Sequence, residues 1–207
     1  MRKRIFVLWA ALFFCFSSCS GQSAVPTFSD IYENGLGLTE SAFEKRYPEW
    51  KRSGAEISEK NGFTVWTFPE RENILSGSAA AVTASFWEER LDRIIYTSTF
   101  DDCESAYPAM VSVANDLIDC FGEPSPEWID EQPLNRYGDA ESFRLAVEKN
   151  MENGIYMESN HWMLSAEKDS HDYRVDFGIT VFESGQSSLS LRLYDWKGME
   201  VYNTGKD

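Results

Sequence analysis

The most regular pattern of hydrophobic positions in this chain lies between residues 105 and 121. Apolar side chains recur there every three or four residues, which is typical of a helix with one buried face: Tyr107, Met110, Val111, Ala114, Leu117, Ile118 and Phe121. Gly122 and Pro124 follow, and both residue types favour the end of a helix. Because Pro108 fits only a first helical turn without distortion, we expect the helix to begin near residues 105–107 or to have a distorted first turn.

Two strand-like segments come before this helix and supply the surface that its apolar face needs. Residues 82–87 alternate between apolar and polar side chains, and residues 91–99 are rich in β-branched and aromatic ones. Glu88 and Glu89 separate the two segments and predict a turn. Strand, turn, strand and helix therefore form the predicted centre of the fold.

Shorter elements are predicted on the N-terminal side of this centre. A short helix should begin after Thr39, whose side chain can cap the first turn. The Asn-Gly pair at 61–62 is a strong hairpin signal between predicted strands at 55–58 and 63–68. We expect residues 69–77 to form a polar loop that leads back to the centre.

The C-terminal half repeats the same kinds of element. A helix is predicted from Asp139, as its N-cap, to about Met151. A strand should follow at about residues 155–166. Residues 173–181 and 189–193 then alternate strictly between apolar and polar side chains, which predicts a hairpin with one buried face.

The predicted order is one helix, four strands, two helices and three strands. This order indicates an α+β fold, in which a mostly antiparallel sheet packs against two or three helices. A helix followed by a strand meander occurs twice, so the chain can be divided into two α-β-meander halves. In outline this layout is similar to the tandem helix-plus-sheet arrangement of β-lactamase-inhibitor-like proteins and of small outer-membrane assembly lipoproteins, and this similarity concerns the fold alone.

The first residues have the pattern of an export signal. Residues 2–4 are basic, residues 5–16 are apolar, and two serines follow. The apolar stretch is too short to span a bilayer comfortably. We therefore expect this segment to direct export and not to remain as a membrane-spanning helix.

Residues 16–19, Phe-Ser-Ser-Cys, resemble the lipobox of bacterial lipoprotein precursors, with phenylalanine where leucine is usual. The resemblance implies that a signal peptide, 1–18, is removed and that Cys19 becomes the N-terminus and carries acyl chains such as palmitate. A lipidated tether, 19–29, and a single domain, 30–207, would then be held at the cell membrane or outer membrane, in the periplasm or at the cell surface. The alternative is an ordinary cleaved signal and a soluble secreted protein.

The chain is strongly acidic, with a formal net charge of −15 at pH 7. Removal of the signal takes three basic residues and no acidic ones, which brings the net charge to about −18. Such a surface repels phosphate backbones and anionic headgroups, which argues against nucleic-acid binding and against a second, electrostatic membrane contact. Basic partners, cations or solubility alone remain as reasons for the charge.

Residue types that carry catalysis or bind metals are sparse. A helix that spans Cys103 and Cys120 would hold them about 25 Å apart, too far for a disulfide. Only a helix that begins late, with residues 103–107 folded back along it, would allow the bond. His161 and His171 fall too far apart in the predicted hairpin to share a metal. We therefore predict no enzyme activity, no cofactor and no metal site.

Aromatic side chains on the predicted strands are the remaining candidates for ligand binding. Alternation along the strands places Trp66 and Trp87 on the face opposite the predicted core, and Tyr156 and Trp162 share one face of a later strand. Exposed aromatics can stack on sugars or anchor a protein partner. The alternative is that both sheet faces are covered and that these residues belong to the core.

The sequence therefore favours a noncatalytic, lipid-anchored protein of the cell envelope that binds another macromolecule, with an envelope protein as the candidate partner. A surface receptor for a glycan or small ligand, which would use the exposed aromatics, is the alternative. A good tethering signal and the lack of a catalytic motif support the first hypothesis.

Overall fold

The computed structural model describes residues 28, 31–32, 35–48, 56–60, 62–75, 77–125, 132–165 and 172–195. The predicted signal peptide, Cys19 and His171 lie outside the described residues. The described elements are, in chain order, α1 (Glu40–Arg46), β1 (Glu56–Lys60), β2 (Phe63–Leu75), β3 (Ser78–Trp87), β4 (Arg90–Phe100), α2 (Cys103–Phe121), a 3-10 helix (Leu134–Arg136), α3 (Ala140–Asn150), β5 (Ile155–Ser165), β6 (Asp172–Phe182) and β7 (Ser187–Asp195). The predicted α+β class and the predicted order of elements are confirmed.

All seven strands belong to one antiparallel sheet with the order β1-β2-β3-β4-β7-β6-β5. The two predicted meanders are therefore the two halves of one sheet. They join where β4 pairs with β7, from Arg93 opposite Tyr194 to Phe100 opposite Ser187. The two halves consequently share one hydrophobic core.

Helix α2 lies at the centre, as predicted, but begins at Cys103, earlier than the predicted start at 105–107. The reason is its N-cap, because the Asp102 carboxylate accepts a hydrogen bond from the Ser105 amide at 2.7 Å. Pro108 thus lies inside the helix, where it has no amide hydrogen for the preceding turn. The amide of Gly122 donates to the Ile118 carbonyl at 2.8 Å and closes the other end.

Only one face of the sheet carries the core. Paired residues of neighbouring strands share a face, and one such row is buried throughout: Trp66, Ala84, Ile94, Leu193, Val175 and Trp162. Buried side chains of all three helices join these residues in one cluster. We call this side the core face and the opposite side the open face; the core cluster contains no side chain from the open face.

The core also extends into the segment that the sequence placed in the tether. Phe28 packs edge-on against Tyr96 and Phe121, with ring centroids 6.5 and 6.1 Å apart. Ile31 is fully buried. The folded part of the chain thus includes Phe28, close to α2 on the core-face side. None of the described helices is long and apolar enough to cross a membrane.

Strand β2 corrects one prediction. The sequence predicted a polar loop at 69–77, but β2 continues to Leu75. Its pairing with β3 shifts register between Phe68 and Arg71, at the position of Pro69. Proline has no amide hydrogen, and such an irregularity in the pairing is a position where a strand tolerates it.

The turn between β3 and β4 leads to a stability prediction. Glu88 and Glu89 have φ angles of 48° and 65°, in the left-handed region that favours asparagine and glycine. Replacing them together with Asn-Gly is expected to raise the free energy of unfolding by about 1 kcal/mol, measured by urea unfolding. The Asn153-Gly154 turn, with φ angles of 51° and 78°, is the control, because Gly154→Ala should lower stability by a similar amount. An unchanged urea midpoint for the Asn-Gly variant would show that the glutamates carry no strain.

Candidate functional site

The centre of the open face is lined by small side chains on β4 to β7. Two adjacent rows contribute them: Ser159, Gly178, Ser190 and Thr97, then Thr180, Ser188 and Thr99. Gly178 is required here, since a Cβ atom would lie 2.8 Å from the Glu158 carbonyl oxygen and 2.9 Å from the Ser159 Cβ. The centre is therefore flat and lacks the large side chains that would keep another surface at a distance.

One end of the open face is apolar. Ile155 pairs with Phe182, and Met157 lies two residues further along β5 on the same side. Met157 is 72% exposed, Ile155 42% and Phe182 38%. With Met163, they are four of the seven exposed large hydrophobic side chains among the described residues. Their clustering on one face, rather than scattering over the surface, is typical of an interaction surface.

The other end of the open face is polar and hydrogen-bonded. Asp176 accepts hydrogen bonds from Arg174 Nε and from the Tyr194 hydroxyl, each at 2.6 Å. Tyr194 is buried. Burial is the largest cause of a raised pKa for the Tyr194 hydroxyl, and the hydrogen bond to Asp176 raises this pKa further. The hydroxyl therefore remains protonated and acts as a donor at neutral pH. Each carboxylate oxygen of Asp176 therefore accepts one hydrogen bond within the chain and can accept a second one.

Arg192 differs from Arg93 and Arg174 on the same face. It is exposed, and its Nε donates to the Ser190 hydroxyl at 3.1 Å. Arg174 is paired with Asp176, and Arg93 lies 3.3 Å from a carboxylate oxygen of Asp92. Within the described part of the chain, Arg192 has no such carboxylate partner. The middle of the open face thus presents a cation that is available for a partner.

Asp92 is a buried carboxylate at a β-bulge. Ser85 pairs with Arg93 but Phe86 pairs with Leu91, so Asp92 is the extra residue. Burial raises the pKa of the Asp92 carboxyl. The positive charge and hydrogen bond of Arg93 lower this pKa in part, whereas the negative charge of Asp195 raises it. The folded state therefore holds the proton more tightly than the unfolded chain does.

The raised pKa of Asp92 gives a pH-dependent prediction. The contribution of Asp92 to stability is highest below the usual aspartate pKa of 3.8. It falls as pH rises through the higher pKa that Asp92 has in the folded state. Asp92→Asn removes this penalty, so the variant should be more stable than wild type at pH 7. The difference in urea midpoint should shrink as pH falls toward 4. A variant that is less stable at pH 7 would show that the Asp92 carboxylate stabilises the bulge.

The structure buries three of the four aromatic residues that the sequence offered for ligand binding. Trp66 lies on the core face, not on the opposite face as the alternation indicated, and its indole nitrogen donates to Glu40 at 2.9 Å. Trp162 is 2% exposed, and its indole nitrogen donates to the Gly122 carbonyl at 2.9 Å. Tyr156 is also buried. These side chains belong to the core, which was the alternative.

Trp87 is the fourth aromatic candidate, and it does lie on the open-face side. Its ring is partly buried, with its centroid 4.8 Å from that of Phe63. Arg93 covers the other side of this pair, 4.9 Å from the Phe63 centroid. A stacking site for a sugar would therefore depend on Trp87 alone among the four candidates, which weakens the glycan-receptor hypothesis.

Tyr156 belongs to a polar cluster on the core face that the sequence did not predict. The Glu158 carboxylate accepts hydrogen bonds from the Tyr156 hydroxyl and from the Tyr137 hydroxyl, the latter at 3.0 Å, and forms an ion pair with Arg136. Burial is the largest cause of a raised pKa for Tyr156, and the hydrogen bond to Glu158 raises this pKa further. Nearby, Asn160 accepts a hydrogen bond from the Leu134 amide at 2.8 Å. The cluster therefore fastens the connector between α2 and α3 onto β5.

The remaining titratable candidates stay apart. His161 is buried, and it pairs across strands with Asp176. Cys103 and Cys120 are free thiols on α2, as expected from their spacing, with Cys103 buried and Cys120 exposed. No group of three His, Cys, Asp or Glu side chains that could hold a metal occurs among the described residues.

No protein-family model matches this chain, and no curated protein sequence matches it either. The open face, with its apolar end, flat centre and exposed Arg192, is the candidate functional site.

Proposed function

We propose that this protein is a noncatalytic, lipid-anchored protein of the cell envelope whose open face binds another macromolecule. The observation that carries the proposal is the clustering of exposed Ile155, Met157 and Phe182 at one end of this face. An isolated exposed apolar residue is ordinary on a protein surface, whereas a contiguous patch with a polar border favours a binding surface.

The anchor is proposed at Cys19, within the lipobox-like sequence. Phe28 follows Cys19 by nine residues, so the tether reaches at most about 30 Å. Because Phe28 packs beside Phe121 on the core-face side, the tether enters the domain on the side opposite the open face. This arrangement favours an open face that is directed away from the point of attachment and is accessible to a partner.

The charge of the chain narrows the class of partner. A net charge of −15 disfavours nucleic acids and anionic lipid surfaces, and it leaves proteins as the best-supported class.

The noncatalytic part of the proposal is supported by the state of the polar groups on the open face. Asp176 is engaged by Arg174 and Tyr194, and His161 is buried, so these groups are arranged to hold the structure.

Metabolic labelling with an alkyne palmitate analogue tests the anchor. We expect the full-length protein to be labelled and to fractionate with membranes, whereas Cys19→Ala should be unlabelled and should be released. Cys15→Ala is the matched control, because Cys15 lies in the proposed signal peptide and its loss should leave labelling unchanged. Equal labelling of wild type and Cys19→Ala would contradict the proposal and would favour a soluble secreted protein.

A further inference from the structure

We propose that the open face binds the same face of a second copy of this chain, so that two sheets stack in a symmetric dimer. This inference rests on the proposed function, because it names the partner of the open face. Four observations support it: the size of the face, the position of its charges, its small-residue centre and the acidity of the rest of the molecule.

The size of the open face matches that of one dimer interface. Four adjacent strands, β4, β7, β6 and β5, lie opposite one another in the dimer described below, and each has 9 to 11 residues. With strands about 4.8 Å apart and about 3.3 Å of rise per residue, the shared area measures roughly 19 by 30 Å. Contact over this area would bury roughly 1,100 Å² from the two copies together, which is above the roughly 1,000 Å² expected of a specific interface.

The charges on the open face complement one another under two-fold symmetry. The two-fold axis runs parallel to the strands, between the two sheets and midway between β6 and β7. It places β6 over β7 of the second copy and β5 over β4, so that each cross-strand row of residues faces the same row of the second copy. Asp176 then faces Arg192 of the second copy, and the same contact forms twice. Arg192 thereby gains a carboxylate partner, which it does not have among the described residues of its own chain.

The same axis brings the flat centres of the two faces together. Gly178 faces Ser190 of the second copy, and Thr180 faces Ser188, so no large side chain keeps the sheets apart. Met157, the most exposed apolar side chain among the described residues, faces Thr99 of the second copy and becomes covered. Two sheets that stack with aligned strands are a common packing arrangement.

The open face is also where two copies of so acidic a chain repel each other least. Its paired rows on β3 to β7 carry four arginines and two carboxylates: Arg90, Arg93, Arg174 and Arg192, with Asp172 and Asp176. The chain as a whole has 34 acidic and 19 basic residues. The charge on this face therefore has the opposite sign to that of the whole molecule, which lowers the electrostatic cost of association.

Site-specific photo-crosslinking in intact bacterial cells tests the dimer. Two full-length copies with different epitope tags are produced together, with a benzophenone amino acid at Thr180 of one copy. We expect a crosslinked product that contains both tags, with the crosslink in β7 of the second copy. Arg192→Glu places like charges opposite each other and should lower the yield of this product at least about tenfold.

Leu145 supplies the matched control, because it is 52% exposed on α3, on the other side of the molecule. Benzophenone at Leu145 should give no product with both tags. If Thr180 crosslinks to a different protein instead, the second copy is the wrong partner but the proposed binding function stands. If Thr180 captures nothing, both the dimer and the proposed function of the open face are contradicted. Equal crosslinking from Thr180 and Leu145 would also overturn the dimer, because it would indicate crowding of anchored chains.

Discussion

Trp162→Ala is expected to lower the free energy of unfolding by about 3–5 kcal/mol. The side chain is 2% exposed on the core face of β5, and its indole nitrogen donates to the carbonyl of Gly122, at the end of α2. The substitution therefore leaves a large cavity and removes the partner of that carbonyl. Urea unfolding followed by circular dichroism measures the effect.

Two further substitutions separate the cost of the cavity from the cost of the lost hydrogen bond and compare Trp162 with an exposed neighbour. Trp162→Phe keeps most of the volume but loses the indole hydrogen bond, and it should cost about 1–2 kcal/mol. Met163→Ala, at the next residue on the open face, is 42% exposed in the wild type and should cost less than about 1 kcal/mol. If Trp162→Ala were as mild as Met163→Ala, Trp162 would not be a core residue, and the ligand-binding interpretation of this tryptophan would regain support.

Glu158→Ala is expected to lower the free energy of unfolding by about 2–4 kcal/mol. The substitution leaves the hydroxyls of Tyr137 and Tyr156 without their acceptor and leaves the charge of Arg136 uncompensated. The cost is below that of a fully buried ion pair, because the Arg136 side chain is 33% exposed and water screens part of its charge. Loss of these contacts also weakens the attachment of the connector to β5, where the hydrogen bond from the Leu134 amide to Asn160 remains.

The pair formed by Glu148 and Arg144 provides the control for this prediction. It is also a glutamate–arginine pair, but it lies on the surface of α3 with side chains 58% and 34% exposed. Glu148→Ala should therefore cost no more than about 0.5 kcal/mol. Equal costs for Glu158→Ala and Glu148→Ala would mean that the buried cluster does not stabilise the fold.

Local signals in the sequence predicted most of the elements. Thr39 and Asp139 were both predicted as N-caps, and each accepts a hydrogen bond from an amide in the first turn of its helix. The alternation in β6 and β7 also predicted the buried face of that hairpin. Such features depend on residues within one turn or one strand, which is why a single sequence reveals them.

Features that depend on distant contacts were not predicted. Trp66 was placed on the wrong face because the orientation of β2 is set by its pairing with β3, where Trp66 is opposite Ala84. The Arg136–Glu158 pair joins a 3-10 helix to a strand, and no local periodicity marks such a contact. The open face likewise became visible only when the two meanders were seen to share one sheet.

Cysteine reactivity in intact cells shows whether the open face is an occupied interaction surface. Cys120 is exposed and is first replaced by serine, while buried Cys103 is retained. Single cysteines are then introduced at Thr180, on the open face, and at Leu145, on α3. Each is labelled with a membrane-permeant maleimide in cells and in dilute purified full-length protein.

We expect the cysteine at Thr180 to react several-fold more slowly in cells than in the dilute protein, because a bound partner covers the open face there. The cysteine at Leu145 should react at the same rate in both. Equal rates at Thr180 in cells and in dilute protein would show that the open face is solvated in the cell and is not an occupied interaction surface.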